Sequence, residues 1–111
     1  MKISEIVEKT GLQIFCGADA LDREVSGGYT SDLLSDVMGH AGSGKIWITL
    51  QTHKNVMAIA SLKELAAVIL VKGFEPETDM LEQGIIEGIP VLGTNDEAFE
   101  ISGKIYHLLN A

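Results

Sequence analysis

Positive charge is scarce in this chain of 111 residues: 8 Lys and Arg stand against 16 Asp and Glu, a formal charge of −8. Binding to a phosphate backbone or an anionic bilayer needs clustered cations, and no such cluster occurs, so nucleic acid and membrane surfaces are not expected partners. Cysteine is scarcer still. Cys16 is alone, which excludes an intramolecular disulfide and a cysteine-rich zinc site and suits the cytoplasm. His40, His53 and His107 show no H-x-x-x-H or H-E-x-x-H spacing, so no metal and no cofactor is expected. There is no G-x-S-x-G run and no paired Cys/His pattern, so nothing points to a covalent nucleophile, and no catalytic residue is expected. Long hydrophobic runs are missing too. The longest, Leu65 to Val71, is far too short to span a bilayer, and the opening MKISEIVEKTG places acids inside its apolar spacing, unlike a signal peptide. A soluble chain that is not exported is the expectation.

What is present is an ordinary globular composition, 46% apolar and 22% charged, at a length that fits one domain, residues 1–111. Ser4 to Lys9 reads as a short helix stopped by Thr10-Gly11. Leu12 to Cys16 reads as a strand ended by Gly17. Ala18 to Asp22 has no period and reads as a loop, and Arg23 to Val25 as the opening of a second strand.

The run from Asp22 to Lys45, DREVSGGYTSDLLSDVMGHAGSGK, is the most unusual in the chain. Gly27-Gly28 interrupts a strand pattern, the mark of a bulge, a positive φ or a close backbone approach. Thr30 or Ser31 caps a helix from Asp32 to about Met38, with Leu33, Leu34, Val37 and Met38 as its apolar stripe. Asp32 and Asp36 then lie one turn apart, as a solvated face or as a pair able to hold a hard cation or do acid/base work. Gly39 to Lys45 matches the G-x-x-x-x-G-K spacing of a phosphate loop. Ile46, however, stands where a working loop needs Ser or Thr, and the run leaves a helix and enters a strand, the reverse of the required order. A Gly-rich connection with Gly39 as helix C-cap is the simpler reading.

From Ile46 onward the organisation is regular. Ile46 to Leu50 and Ala67 to Val71 read as strands, with a helix from Asn55 to about Leu65 carrying Val56, Ile59, Ala60 and Leu62 between them. Gly73 ends the second strand. Pro76 opens a helix whose face is Met80, Leu81, Ile85 and Ile86, Gly88 closes it, and Pro90 to Gly93 is a short strand. Thr94 or Asn95 caps a last helix, Asp96 to about Leu109, with Phe99, Ile101, Ile105 and Leu108 on its apolar side. Alternating strands and helices of about ten residues imply right-handed βαβ crossovers. The expected fold class is therefore α/β, a three-layer Rossmann-like scaffold with a mainly parallel sheet, preceded by a short helix and strands.

Ligands of such sheets collect beyond the carboxyl ends of the parallel strands. That selects Thr52, His53 and Asn55 after one strand, Lys72 and Gly73 after the next, and Thr94 and Asn95 after the last as candidate ligand contacts. Capping is the structural alternative for Asn55, Thr94 and Asn95.

DREVSGGYTSDLLSDVM, continuing into GKIWITLQTHKNVMAIASLKELAAVILVKG, resembles the DRTGG domain family. That family is a small α/β module found alone or attached to CBS-domain proteins and phosphotransacetylases, and is similar in fold to the N-terminal domain of HPr kinase/phosphorylase. Here Glu24-Val25-Ser26 separates Asp22-Arg23 from Gly27-Gly28. The resemblance implies a regulatory, ligand-sensing accessory without catalytic activity. The expected function is a non-enzymatic module, a homodimer, binding a small metabolite or nucleotide, a partner protein, or both. Asp22, Arg23, Gly27, Gly28, Tyr29, Asp32, Leu33, Leu34, Asp36 and Met38 form its candidate interface or family motif. The alternatives are a small phosphate-handling enzyme using Gly39 to Lys45, or a divalent metal at Asp32 and Asp36, and a purely structural interaction domain.

Overall fold

Ala67, Val68, Ile69 and Leu70 are fully buried, and a strand apolar on both sides belongs in the middle of a sheet covered on both faces. The computed structural model, which describes residues 1–111, places them there as β4 (Ala67–Leu70). The other strands are β1 (Gln13–Cys16), β2 (Gly27–Thr30), β3 (Lys45–Thr49) and β5 (Val91–Gly93), in the order β1-β5-β4-β3-β2. β2 to β5 are parallel, and β1 joins β5 antiparallel. The helices are α1 (Ile3–Thr10), α2 (Leu34–His40), α3 (Lys54–Leu62), α4 (Thr78–Glu87) and α5 (Ala98–Leu109), with one 3-10 turn at Ala18–Ala20. The expected α/β class with a mainly parallel sheet is the observed one.

Right-handed crossovers that step the same way along a sheet lay their helices on one face. α2, α3 and α4 accordingly share a face, where Val37, Val56, Met57, Ala60 and Met80 pack on Trp47, Val68, Leu70 and Val91. α1 and α5 cover the other, where Ile3, Ile6, Ile101 and Ile105 pack on Ile46, Ile48, Ile69 and Leu92. Cys16 belongs to the first core, and burial pushes its thiol up from the ordinary value.

Several local expectations are corrected. The second strand is not Arg23 to Val25 but β2, and Gly27-Gly28 lies inside it in unbroken register with Lys45 and Ile46, at ordinary negative φ. The bulge of this sheet is in β1 instead, between Ile14 and Cys16. Arg23 turns its guanidinium onto the carbonyls of Glu64 (2.8 Å) and Leu65 (3.0 Å), tying the N-terminal segment to the start of β4. α2 begins at Leu34, so Asp32 precedes it, and Leu33 and Met38 are exposed while only Leu34 and Val37 face the core. Gly39 is interior to α2, whose C-cap is Ala41. α3 ends at Leu62, leaving Leu62 exposed. α4 starts after Glu77 and buries Met80 and Gly84, with Ile85 and Ile86 in solvent. α5 is capped by Glu97, boxed with Glu100, rather than by Thr94 or Asn95, and Phe99 is exposed.

α2 lies across one face of β2. The Tyr29 hydroxyl donates to Asp36 Oδ1 at 2.9 Å. The Ser31 hydroxyl first, and the Tyr29 phenol second, hold the Asp36 carboxyl below its ordinary 3.8. Loss of solvent, with the Asp36 bond second, raises the Tyr29 phenol above its ordinary 10.0.

Two predictions follow from this packing. A Cβ on Gly17 (φ 88°) would lie 2.5 Å from Pro90 Cα, whereas one on Gly39 meets nothing within 4 Å. Gly17→Ala should therefore cost more than about 2 kcal/mol, and Gly39→Ala should stabilise by about 0.5–1 kcal/mol. Urea unfolding followed by the single buried tryptophan, Trp47, measures both; a destabilising Gly39→Ala would mean that Gly39 is a cap after all. A carboxyl whose folded pKa is depressed stabilises the fold above its unfolded pKa and loses that contribution as pH falls through the folded value. Tyr29→Phe should accordingly be less stable than wild type near neutral pH, with the gap narrowing as pH drops below 3.8. A gap that is constant with pH would contradict the assignment.

Candidate functional site

β4 feeds α4 on one face of the sheet, and β5, its neighbour, feeds α5 on the other. Connections that diverge from adjacent parallel strands leave a crevice at their carboxyl ends. β1 closes its third side, because antiparallel pairing sets Gln13 beside Gly93. The result is a cleft of about 580 Å3 lined by Gln13, Phe15, Gly73, Glu75, Thr94 and Asn95, with Phe74 and Asp96 at its sides. Its floor depends on glycine. The Phe15 ring lies against Gly93, where a Cβ would stand 2.5 Å from Phe15 Cε2, and a Cβ on Gly73 (φ 73°) would stand 3.1 Å from Asn95 Oδ1.

Hydrogen bonds fix the two loops to each other. The Lys72 amide donates to the Asp96 carbonyl at 2.8 Å, the Gly73 amide to the Thr94 carbonyl at 2.9 Å, and the Asp96 amide to Thr94 Oγ1 at 3.1 Å. Lys104 reaches back from α5 to Asp96 Oδ2 at 2.7 Å, and this carboxylate raises the Lys104 ammonium pKa. The cleft walls thus offer carboxylate, amide and hydroxyl oxygens beside two phenyl rings, with no Lys or Arg among the lining residues. Such a surface suits a group that donates hydrogen bonds, an amine, a sugar hydroxyl or a nucleobase edge, better than a bare phosphate.

Of the seven candidate contacts read from the sequence, Gly73, Thr94 and Asn95 come together in this cleft, and Lys72 supports it through its backbone. Thr52, His53 and Asn55 do not join them. Thr52 Oγ1 donates to Glu77 Oε2 at 3.1 Å, His53 Nδ1 lies 2.8 Å from the same oxygen, and the Glu77 amide donates to the Thr52 carbonyl at 3.0 Å. One acid therefore clips the loop after β3 to the start of α4. Asn55 sits exposed in the first turn of α3, and His53 takes the N-cap position.

Asp32 and Asp36, read as sharing one helix face, have different partners. Asp32 Oδ1 accepts from Thr49 Oγ1 (2.9 Å) and the Leu50 amide (2.7 Å), closing the turn after β2 over the end of β3, while Asp36 serves Tyr29. Asp32 precedes α2 and so does not share that helix's polar face with Asp36. The Gly39 to Lys45 run leaves α2 and enters β3. Its last two amides are engaged within the chain: Gly44 donates to the Glu64 carbonyl at 2.9 Å and Lys45 to the Gly42 carbonyl at 3.4 Å. It is not a phosphate loop.

A second cavity, also of about 580 Å3, runs between β2 and α5. Gly27 and Gly28 form one wall, Phe99, Ser102 and Tyr106 the other, and Thr30 Oγ1 meets Ser102 Oγ at 2.7 Å across it. Of these α5 residues the sequence names only Phe99, as part of the helix's apolar side, and none as a site residue. A signal existed: Phe99 and Tyr106, with small Ser102 and Gly103 between them, form a helical stripe adjacent to the Ile101 and Ile105 stripe.

No family model matches the chain, and no curated protein matches it in sequence. The fold is similar to the crystal structure of the CBS and DRTGG domains of the regulatory region of Clostridium perfringens pyrophosphatase, complexed with its activator diadenosine tetraphosphate. The TM-score is 0.74 at 14% sequence identity, and the likeness covers 93% of this chain. It covers 45% of that chain, so the protein spans less than half the length of its solved structural relative.

Proposed function

We propose that the chain is a non-enzymatic regulatory module of the DRTGG type, a single domain over residues 1–111, that senses a small metabolite or nucleotide. The ligand would sit in the cleft between the diverging β4 and β5 connections, touching Thr94, Asn95 and the loop at Gly73, and the module would act as a homodimer on a partner protein. The observation that carries this reading is the cleft itself, built at the divergence of two adjacent parallel strands. The structural relative is a regulatory region bound to a nucleotide activator, which supports a sensing role. The engagement of the Gly44 and Lys45 amides within the chain argues against a phosphate-handling enzyme.

Thermal unfolding across a panel of nucleotides, diadenosine tetraphosphate included, and small metabolites tests the proposal. A ligand at a hundredfold excess over Kd adds about 2.7 kcal/mol of apparent stability, and Asn95→Ala together with Thr94→Val should abolish the rise in Tm without changing the unliganded Tm by more than a few degrees. A panel with no shift, or a shift indifferent to both substitutions, overturns the site. Nucleotide turnover should be absent in wild type and in Lys45→Ala alike. Turnover lost on that substitution would restore the enzymatic reading.

A further inference from the structure

Parallel α/β sheets commonly hold phosphate at the N-termini of the helices that follow their strands, where free amides and the helix dipole draw the anion. The two connections that form the cleft lead into α4 and α5, and acids of the chain stand at both helix starts. Glu77 occupies the N-cap of α4 and Asp79 its first turn. Glu97 occupies the N-cap of α5, and Glu100 Oε1 accepts the Glu97 amide at 3.1 Å. Glu75 and Asp96 line the cleft itself. Together, Lys72 to Asp79 and Thr94 to Lys104 carry six acids against two lysines. Lys104 is engaged by Asp96. Lys72, at φ 58°, gives its amide to the Asp96 carbonyl and is not among the lining residues. The last turn of α1, which leads to Gly11 at the cleft, adds Glu8 and Lys9, one of each sign. The cleft therefore stands where such a fold binds a nucleotide, yet it repels the part of a nucleotide that usually anchors it.

The walls offer chemistry for a base and a sugar instead. Asp96 and Thr94 Oγ1 serve Lys104 and the Asp96 amide, whereas the carboxamides of Gln13 and Asn95 and the carboxylate of Glu75 bond to nothing else in the chain. A carboxamide presents a donor beside an acceptor and matches a nucleobase edge. A carboxylate accepts from ribose hydroxyls. Phe15 and Phe74 supply rings on which a base can stack, and Phe74 is 46% exposed.

We infer that the cleft takes a nucleoside through its base and ribose and leaves any 5′-phosphate in solvent. The inference rests on the sensing role proposed above and names the chemical class of its ligand. Asn95 and Gln13 meet the base edge, a phenyl ring stacks on the base, and Glu75 takes the ribose hydroxyls. A phosphate on the 5′ carbon adds negative charge to an acidic site and gains no cationic partner in return.

The test is calorimetric titration of the full chain with adenosine, guanosine, cytidine and uridine, and with the monophosphate and triphosphate of each. At least one nucleoside should bind, its monophosphate more weakly, and its triphosphate weaker by about tenfold or more. Because the penalty is charge repulsion, the gap should shrink as ionic strength rises from about 0.01 M to about 1 M, over which the screening length falls from about 30 Å to about 3 Å. Glu75→Gln, at an exposed position, should weaken the nucleoside and narrow the gap, while its 2′,3′-dideoxy form binds wild type and variant alike. Lys72→Ala should change neither affinity. A triphosphate that binds tighter than its nucleoside, or loses affinity with salt or with Lys72→Ala, overturns the inference and leaves the sensing role standing, as does a nucleoside indifferent to Glu75→Gln. If none of these compounds binds but another metabolite raises Tm through Thr94 and Asn95, the nucleoside assignment alone falls. If nothing binds, both fall.

Discussion

Both faces of this sheet are apolar, and the right-handed crossover rule allows the β2-α2-β3-α3-β4-α4-β5 path to cover only one of them. The other face needs helices that are not crossovers. α5, the first helix after the last parallel strand, and α1, which precedes the sheet, supply that cover. Both cavities follow from this constraint. The cleft forms because β4 and β5 must send their chains to opposite faces. The groove forms because two helices cover what three cover on the far side, and α5 leaves the outer flank of β2 open between Gly28 and Tyr106.

Polar ties then set the positions that packing leaves free. Asp32 holds the turn after β2 against the end of β3, the Trp47 indole N–H donates to the Ser31 carbonyl at 2.8 Å, and Arg23 pins the N-terminal segment to the approach to β4. Asp32 and Arg23 are conspicuous residues of the Asp22 to Lys45 run, and both tie segments of the chain to each other. The loop that leads into α5, Thr94 to Asp96, lines the cleft, and the Phe99 to Tyr106 stripe of α5 lines the groove.

The sequence carried the strong periodic signals well. The continuous apolar run at Ala67 to Leu70, the strand at Ile46 to Thr49 and the buried pair Ile101 and Ile105 were legible because burial on both sides of a strand, or along one stripe of a helix, leaves its own period. Gly73, Thr94 and Asn95 were legible as strand-end residues because the parallel topology was. Thr52 and His53 were chosen by the same rule and went elsewhere, because Glu77, a residue of the next loop, takes both. Gly27-Gly28 reads as an interruption, since glycine in a strand usually marks a bulge; here both glycines lie in unbroken register inside the edge strand β2, and only strand order reveals that. Asp32 and Asp36 looked like a pair because the helix was drawn two residues early.

Local chemistry in the chain determined the element types, the parallel sheet, the absence of a working phosphate loop and the strand ends where a ligand would be sought, since each depends on spacing within a dozen residues. Which strand lies at the edge, which acid meets which donor, and that Phe99 and Tyr106 stand in solvent beside a glycine strand were decided by tertiary structure alone. These are contacts between distant segments, as between Thr30 and Ser102, seventy-two residues apart, and no local period records which distant backbone a side chain will meet.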